Sequence, residues 1–431
     1  MSLQGPLRVA FFSDLTGESS VAAYCSRLLI PLLARNHSLE LFSTSFDVEY
    51  LGVPHFHHLK AYQRHREHPF DLFFYQLEDG KRSRFVRSSC GIIPGITWFH
   101  DLFFEDLGSE ATHTSPWEHS IKQYYDPALA FSDRAIAPHQ LWPRAFRELS
   151  VSPICLFSSK WSLSEAETML SARVECDGMS HRRELLSIPI EPFSPPPIPS
   201  NETLHVATMA GVGHEGRPHK FLAALRALKT PWKLRWILEP SERATAEVLL
   251  REFGVGENVE LCYGRSMAAW KTALGSAHVA LHLRSTSFGH LAPYLQLSLA
   301  SGRLTVVSDL AQGEDLPDNV AVKITPGISE AAQLLAVLEQ AASLDIAALT
   351  AQARSFVSQE HNAARIASAL STTWSHYASA LASPMKRWQS LYSNARTALL
   401  NEVRSLADGE SEAISPYSQV VSPVLSDLFP E

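Results

Sequence analysis

The sequence predicts an α/β protein in which two Rossmann-like domains face a cleft and a helical extension follows them. Three observations predict this class. Short apolar runs alternate with helical segments, as in parallel sheets. The alternation stops at 189–203, where six prolines fall in eleven residues, and then restarts. A chain of 431 residues also has room for two or three domains.

The first predicted domain spans residues 1–188. Its apolar runs are those expected of strands that are buried along their length. Most of these runs end in polar residues. Predicted strands lie at 7–14, 39–44, 70–78, 91–101 and 152–161, with a helix at 19–36. The proline-rich segment 189–203 is the predicted linker.

The second predicted domain spans residues 204–360 and repeats the pattern. Predicted strands lie at 204–211, 232–239, 257–264, 277–284, 303–309 and 319–324, with helices between them. Pairs of such domains commonly bind a ligand in the cleft between them.

Residues 361–409 are predicted to be helical, and 410–431 to form a loosely ordered tail. Within 385–409 an apolar stripe includes Trp388, Leu399 and Leu406. An exposed stripe of this length favours association, so we expect it to pack on the body or to form a homo-oligomer.

Composition and missing motifs exclude several classes of function. A net charge of -8 argues against generic nucleic-acid binding, and five scattered cysteines without a CxxC pair argue against zinc or disulfide frameworks. No secretion signal and no membrane-spanning run is evident, so a cytoplasmic location is expected. The chain lacks a P-loop, a GxGxxG turn, a nucleophile elbow and an Asp-x-Asp pair, which predicts neither a metal nor a bound cofactor.

The first candidate motif is "FFSDLTGESSVAAY", a strand, a turn and a helix start that contain Gly17, Glu18 and Ser19. Free N–H groups at a helix start bind anions, and glycine permits close approach of the backbone. The alternative is an ordinary turn in which Ser19 or Ser20 caps the helix.

The second candidate motif is "TWFHDLFFEDL", in which His100 and Asp101 follow an apolar strand. Site residues in parallel sheets usually lie at such strand ends, so both are candidate catalytic residues. A histidine there can donate to a sugar hydroxyl or a phosphate. The alternative is a structural histidine in a capped loop.

The third candidate motif is "MAGVGHEGRPHKFLAALRAL", where Gly213, Arg217 and Lys220 surround a helix start. Cations beside a helix N-terminus suit a diphosphate, which needs such stabilisation as a leaving group. Two solvated surface cations are the alternative. Arg265, at the end of the 257–264 strand, is a further candidate for binding this ligand.

A histidine- and arginine-rich region covers 54–68 and 81–89. We interpret 54–68 as an exposed basic segment, since its spacing fits no zinc motif. The region as a whole could face an anionic acceptor or make a peripheral contact at the inner face of a membrane. A solvated loop is the alternative.

The segment from 284 to 309 predicts a loop, a helix ending at Gly302 and a buried strand. Ligands bind at such helix starts, which here carry Phe288, Gly289, His290 and Leu291. No carboxylate occurs between 284 and 308.

With these motifs, the chain resembles the GT-B glycosyltransferases, specifically the large retaining, metal-independent family that includes sucrose synthases. The resemblance covers about residues 7–375. The similar segments, in chain order, are "DLTGESSVAAYCSRLLIPLLARNHSLELF", "FDLFFYQLEDG", "PGITWFHDL", "SSKWSLSEA", "VELCYGRSMAAWKTALGSAHVALHLR", "LASGRLTVVSD" and "DLPDNVAVKI".

The resemblance implies that a UDP-, GDP- or dTDP-linked sugar binds mainly to the C-terminal domain. A glycan, glycolipid or protein acceptor would bind to the N-terminal domain, and the sugar would be transferred with retention. Arg217 and Lys220 fall near the family's phosphate-binding cations. His100 falls on its "HD" histidine, and Gly17 falls on its phosphate-side loop glycine.

The chain departs from the family at its two donor-binding glutamates. The first position falls on Gly289, or on His290 in a related pattern, and the second falls on Leu297. Two hypotheses follow: an active glycosyltransferase in which His290 and backbone N–H groups hold the donor, or a degenerate partner or scaffold of an active transferase. A sugar-nucleotide epimerase would need further carboxylates in the cleft.

Overall fold

The computed structural model describes residues 5–17, 20–44, 48–102, 145, 148–149, 152–171, 182–197, 203–213, 216–284, 293–341 and 346–378. Several predicted features lie outside these residues. They are Glu18, Ser19, Phe288, Gly289, His290, Leu291, the 385–409 helix and the 410–431 tail.

The N-terminal half forms one sheet, whose described strands have the order β3-β4-β2-β1-β5-β6-β7-β8. The strands are β1 (Arg8–Phe12), β2 (Ser38–Ser43), β3 (Val48–Tyr50), β4 (Val53–His57), β5 (Leu72–Leu77), β6 (Ile96–Phe99), β7 (Ile154–Phe157) and β8 (Arg182–Leu185). The described helices are α1 (Val21–Leu33), α2 (Lys60–Glu67), α3 (Arg84–Cys90) and α4 (Lys160–Ser171). All pairings are parallel except β3 with β4. The central strands β5, β6 and β7 are buried along their whole length, which explains their apolar sequences.

The C-terminal half forms a second, wholly parallel sheet with the order β11-β10-β9-β12-β13-β14. Its strands are β9 (Leu204–Thr208), β10 (Trp232–Leu238), β11 (Val259–Tyr263), β12 (Val279–His282), β13 (Leu304–Ser308) and β14 (Val322–Ile324). Its described helices are α5 (Pro218–Ala227), α6 (Arg243–Phe253), α7 (Met267–Ser276), α8 (Pro293–Ser301), α9 (Gln312–Asp315), α10 (Glu330–Gln340) and α11 (Ile346–Glu360). The predicted α/β class with two parallel sheets is confirmed.

The histidine-rich segment differs from its prediction as an exposed segment. It contains strand β4 and helix α2, and both His55 and His65 are buried. His55 Nε2 lies 2.7 Å from the Ser43 hydroxyl, and His65 Nδ1 accepts the Phe70 N–H at 3.0 Å. Both histidines are therefore core residues, each with a protein partner at one ring nitrogen.

A last helix, α12, covers residues 363–378 and returns to the N-terminal sheet. Its Trp374 is fully buried against Phe11 and Phe74. The Tyr377 hydroxyl donates to Glu184 at 2.6 Å, which ties the helix to the edge strand β8. The C-terminal end of the described chain therefore completes the N-terminal core.

Residues of the proline-rich segment contact both halves. Glu191 donates its N–H to the Tyr24 hydroxyl at 3.1 Å and forms a salt bridge with Lys271 of α7 at 2.7 Å. Arg303 donates to the Pro196 carbonyl at 2.7 Å. The segment is therefore anchored to both sheets by polar contacts.

Candidate functional site

The carboxyl ends of β1, β5, β6 and β7 bring a group of polar side chains together. Such strand ends are the usual binding edge of a parallel sheet. The described members are Ser13, Asp14, Gln76, Glu78, His100, Asp101 and Ser158. Only His100 and Asp101 were candidates from the sequence.

His100 is buried, and protein groups occupy both of its ring nitrogens. Nε2 lies 2.8 Å from Gln76 Oε1, and Nδ1 lies 3.1 Å from the Ser158 hydroxyl. The Gln76 amide nitrogen donates to Ser26 at 2.7 Å, so Gln76 Oε1 accepts and His100 Nε2 carries the proton. Burial lowers the pKa of His100 to about 4, so the ring is neutral at pH 7. This geometry fits a positioning role for His100.

Asp101 joins the loops that follow β5 and β6. Its Oδ2 accepts the Asp79 N–H at 2.8 Å, and the side chain is buried. The carboxylate therefore fixes the backbone of the β5 loop, directly beyond Glu78.

The start of helix α1 differs from the predicted anion site. The Ala22 N–H donates to Glu78 Oε2 at 3.0 Å, and the Ala23 N–H donates to the Ser20 hydroxyl at 3.0 Å. The Ser20 hydroxyl itself donates to Glu78. The expectation of open N–H groups here is wrong at Ala22 and Ala23, because a protein carboxylate and a capping serine already satisfy them.

Glu78 is buried next to other carboxylates. Burial raises its pKa to about 7, hydrogen bonds from Ser20 and Ala22 oppose this, and the charges of Asp101 and Asp14 add to it. "FFYQLED" ends in polar residues after a buried strand, so the strand-end rule applied to Gln76 and Glu78 would have found this cluster.

We predict a pH-dependent stability that reports on Glu78. Its folded pKa lies above the ordinary carboxyl value of 4.5, so the folded state binds the proton more tightly. The stability that the folded state gains by binding this proton is fully present below pH 4.5. It is lost as the pH rises through about 7, and it amounts to about 3 kcal/mol in total. When the pH is raised from 5 to 8, the free energy of unfolding of Glu78→Gln should therefore increase relative to that of wild type, because glutamine does not titrate.

Urea denaturation at both pH values measures this gain, with exposed Glu252→Gln as the control. Equal pH dependence in wild type and Glu78→Gln would contradict the assignment.

In the C-terminal half, strand β9 leads into a tight turn before α5. The Trp236 indole N–H donates to the Ala210 carbonyl at 2.7 Å, and the Gly216 N–H donates to the Gly213 carbonyl at 3.1 Å. A β-carbon on Gly216 would lie 2.0 Å from the Gly211 carbonyl oxygen. Residue 216 must therefore be glycine for the turn to close.

Arg217 lies at the N-cap of α5 in a left-handed conformation, with φ 53°. Its Nε donates to Glu330 Oε1 at 2.6 Å, and its Nη2 donates to the second carboxylate oxygen of Glu330. Glu330 is fully buried. Arg217 therefore lies beside the predicted phosphate position, but an internal carboxylate compensates its charge.

The other two predicted cations differ in their surroundings. Lys220 lies in the first turn of α5, half-buried, and its ammonium has no partner among the residues that the structure describes. Arg265 donates to Glu242 Oε2 at 2.7 Å, and Glu242 Oε1 accepts the Val212 N–H at 3.1 Å. These contacts join the loops that follow β9, β10 and β11.

Leu297, the second of the two glutamate positions, is fully buried in the apolar core of α8. The neighbouring Gln296 is also buried, and its Oε1 has no hydrogen-bond partner in the described structure. Ser298 accepts from the Trp270 indole at 3.1 Å and lies 2.8 Å from His282 Nε2. Helix α8 therefore carries buried polar side chains, but none of them is a carboxylate.

The described residues contain no group of three or more His, Cys, Asp or Glu side chains placed to hold a metal ion. None of their helices has the length and apolar character needed to cross a membrane. A surface depression of about 430 Å³, lined by Leu250, Arg251 and residues 254–258, lies at the C-terminal end of α6, remote from the carboxyl edges.

Similarity to solved structures decides the fold. The sucrose-phosphate synthase from Thermosynechococcus elongatus has a TM-score of 0.61 and 15% identity, over 87% of this chain and 100% of that one. Anabaena HepE in complex with UDP-glucose has a TM-score of 0.61 and 12% identity, over 86% of this chain and 100% of that one.

The chain has the GT-B fold. WaaG, a glycosyltransferase involved in lipopolysaccharide biosynthesis, shares the fold with a TM-score of 0.52 and 14% identity, over 84% of this chain and 98% of that one. Neither a protein-family model nor a curated protein sequence matches this chain. The resemblance predicted from the sequence is confirmed at the level of the fold.

Proposed function

We propose that this GT-B protein is a glycosyltransferase that moves a sugar from a nucleotide-sugar donor to a glycan, glycolipid or protein acceptor. The observation that carries the proposal is the pair of parallel sheets whose carboxyl edges both bear buried polar groups. UDP-linked sugars are the first donors to test, because the HepE structure holds UDP-glucose.

In this proposal the diphosphate binds at the start of α5. Gly216 permits the close backbone approach to Gly211 before α5, and Lys220 supplies a cation that has no partner among the described residues. Arg217 holds the turn through Glu330, and Arg265, which is paired with Glu242, lies in the loop after β11. These cations would stabilise the leaving diphosphate without a metal. Retention of the anomeric configuration is proposed from the family resemblance.

The segment that carries Phe288, Gly289, His290 and Leu291 is proposed to complete the donor site. His290 would replace the first family glutamate as a donor to the sugar or the phosphate. In the N-terminal domain, Gly17 would lie on the phosphate side of the donor, as the resemblance implies, and Asp101 is a proposed catalytic residue. His100 positions the Gln76 amide and the Ser158 hydroxyl.

A degenerate partner or scaffold is the second candidate function. Two observations favour it: Leu297 stands in the core where the family has a glutamate, and Glu330 neutralises Arg217. Such a protein would keep the fold without turning over a donor.

Isothermal titration with UDP, GDP and dTDP in chelator tests the proposal. Wild type should bind at least one of them, and Lys220→Ala should weaken that binding by about 1–3 kcal/mol, because a charge-assisted contact is lost. Lys229→Ala, which changes an exposed lysine just beyond the C-terminal end of α5, is the matched control.

If no nucleoside diphosphate binds at millimolar concentration, the degenerate-partner function replaces the enzyme. If binding requires magnesium, the metal-independent mechanism is wrong. Product NMR with the bound donor then establishes whether the anomeric configuration is retained.

A further inference from the structure

Helix α4 begins just after strand β7 ends, at the carboxyl edge of the N-terminal sheet. Its Ser162 N–H donates to the Ser159 hydroxyl at 3.0 Å, and its Leu163 N–H donates to the Ser159 carbonyl at 3.1 Å. Ser159 therefore caps this helix from within the N-terminal half. The cap leaves the N–H groups of Lys160 and Trp161 to be satisfied by another part of the chain.

Those two N–H groups meet a carboxylate of the C-terminal half. The Trp161 N–H donates to Asp315 Oδ2 at 2.9 Å, and the Lys160 N–H also donates to the Asp315 carboxylate. Asp315 is the last residue of α9, which follows strand β13 at the carboxyl edge of the second sheet. The helix dipole adds to the attraction for this charge. A residue of one half therefore completes a helix start in the other half.

The turn that carries Asp315 is tightly constrained. Ala311, directly before α9, has φ 52° and ψ -116°, a backbone conformation that residues with a β-carbon rarely adopt. A β-carbon on Gly313 would lie 2.0 Å from the Ser308 carbonyl oxygen, so glycine is needed for α9 to fold back on the end of β13. The next residue, Leu316, is buried in the apolar cluster that also contains residues of β6 and β7. These constraints fix the position of the Asp315 carboxylate.

The contact is separate from the covalent connections between the two halves. Trp161 and Asp315 are 154 positions apart in the chain, and they meet where the carboxyl edges of the two sheets face each other. The chain itself passes between the halves at 189–203 and again before α12. Loss of the contact would leave both connections intact, so the halves could move apart about them without unfolding.

We propose that Asp315 and the start of α4 form a latch that holds the two carboxyl edges together, and that the halves move apart when the latch is broken. The inference does not depend on the proposed glycosyl transfer. Opening and closing of the edges would control the entry of ligands into the space between them.

Small-angle X-ray scattering of the full chain without nucleotide tests the latch. Asp315→Ala removes the acceptor, and Asp315→Lys places a cation against the positive end of α4. We expect both variants to have a larger radius of gyration than wild type, with the larger increase for Asp315→Lys. Glu314→Ala, which removes an exposed carboxylate from the same helix, is the matched control and should scatter like wild type.

Lys160→Pro tests the latch from the side of the hydrogen-bond donors. Proline is tolerated at the first position of a helix, and it removes one N–H while Asp315 stays intact. The radius of gyration should again increase, by less than in Asp315→Ala, because Trp161 still donates. Circular dichroism and thermal melting verify that each variant is folded, and Lys160→Pro decides the question if the Asp315 variants do not fold.

Hydrogen exchange distinguishes an opened protein from a frayed helix. In Asp315→Ala, the amides of 160–163 and those of 310–316 should both exchange about tenfold faster, because both sides of the latch lose their contact. Faster exchange confined to 160–163 would identify Asp315 as a helix cap alone and would overturn the inference.

An unchanged radius of gyration in the folded Asp315 variants, or an equal increase in Glu314→Ala, would also overturn it. Because these samples contain no nucleotide, their outcome is independent of nucleoside diphosphate binding. Titration of wild type with UDP tests the proposed function separately.

Discussion

Replacement of Trp374 by alanine is expected to lower the free energy of unfolding by about 3–5 kcal/mol, the range for deletion of a fully buried tryptophan. The indole of α12 lies 5.1 Å from the Phe74 ring, 6.4 Å from Phe11 and 5.4 Å from His37, measured between centroids. Phe11 lies on β1, Phe74 lies on β5, and His37 lies in the connection between α1 and β2. The substitution would therefore open a cavity between α12 and the sheet.

Urea denaturation measures the loss, with Ile328→Ala as the control, since Ile328 is fully exposed. Hydrogen exchange should localise the damage: the amides of β1 and β5 should lose protection before those of β9 and β12. An unchanged denaturation midpoint for Trp374→Ala would contradict a role for α12 in the N-terminal core.

The parallel sheets could be predicted because strands covered on both faces need long apolar runs, as in "FDLFFYQLE". Strands β3, β4 and β8 escaped prediction. They lie toward the sheet edges, where polar residues such as His55, Arg182 and Arg183 break the apolar pattern. Local composition therefore predicts buried strands well and edge strands poorly.

The candidate site was predictable to a similar extent. The strand-end rule found His100 and Asp101, because they follow an apolar run, and the helix-start rule found Arg217, because it follows a glycine turn. It could not find their partners, since Glu330 is separated from Arg217 by 113 positions and no sequence period links the two. The state of a site residue depends on such contacts, which only the fold supplies.

The ion pair between Arg217 and Glu330 leads to the second large effect. Arg217→Ala would leave Glu330 charged and buried, with the weak Gly327 N–H contact at 3.4 Å and without a cation. Removal of one partner of a buried ion pair costs about 3–5 kcal/mol, mostly through the charge left behind. We expect Arg217→Ala to lose this amount in urea denaturation at pH 7.

A double-mutant cycle with Glu330→Gln tests that reason. Glutamine keeps a carbonyl oxygen for the Gly327 N–H and removes the charge, so Arg217→Ala/Glu330→Gln should be more stable than Arg217→Ala alone. Arg243→Ala, which breaks an exposed pair with Glu247, is the control and should lose no more than about 1 kcal/mol. If the double variant is as unstable as Arg217→Ala, the cost comes from the left-handed turn at residue 217 and not from the unpaired carboxylate. Nucleotide titration of the folded double variant then measures what Arg217 adds to donor binding once its structural partner is neutral.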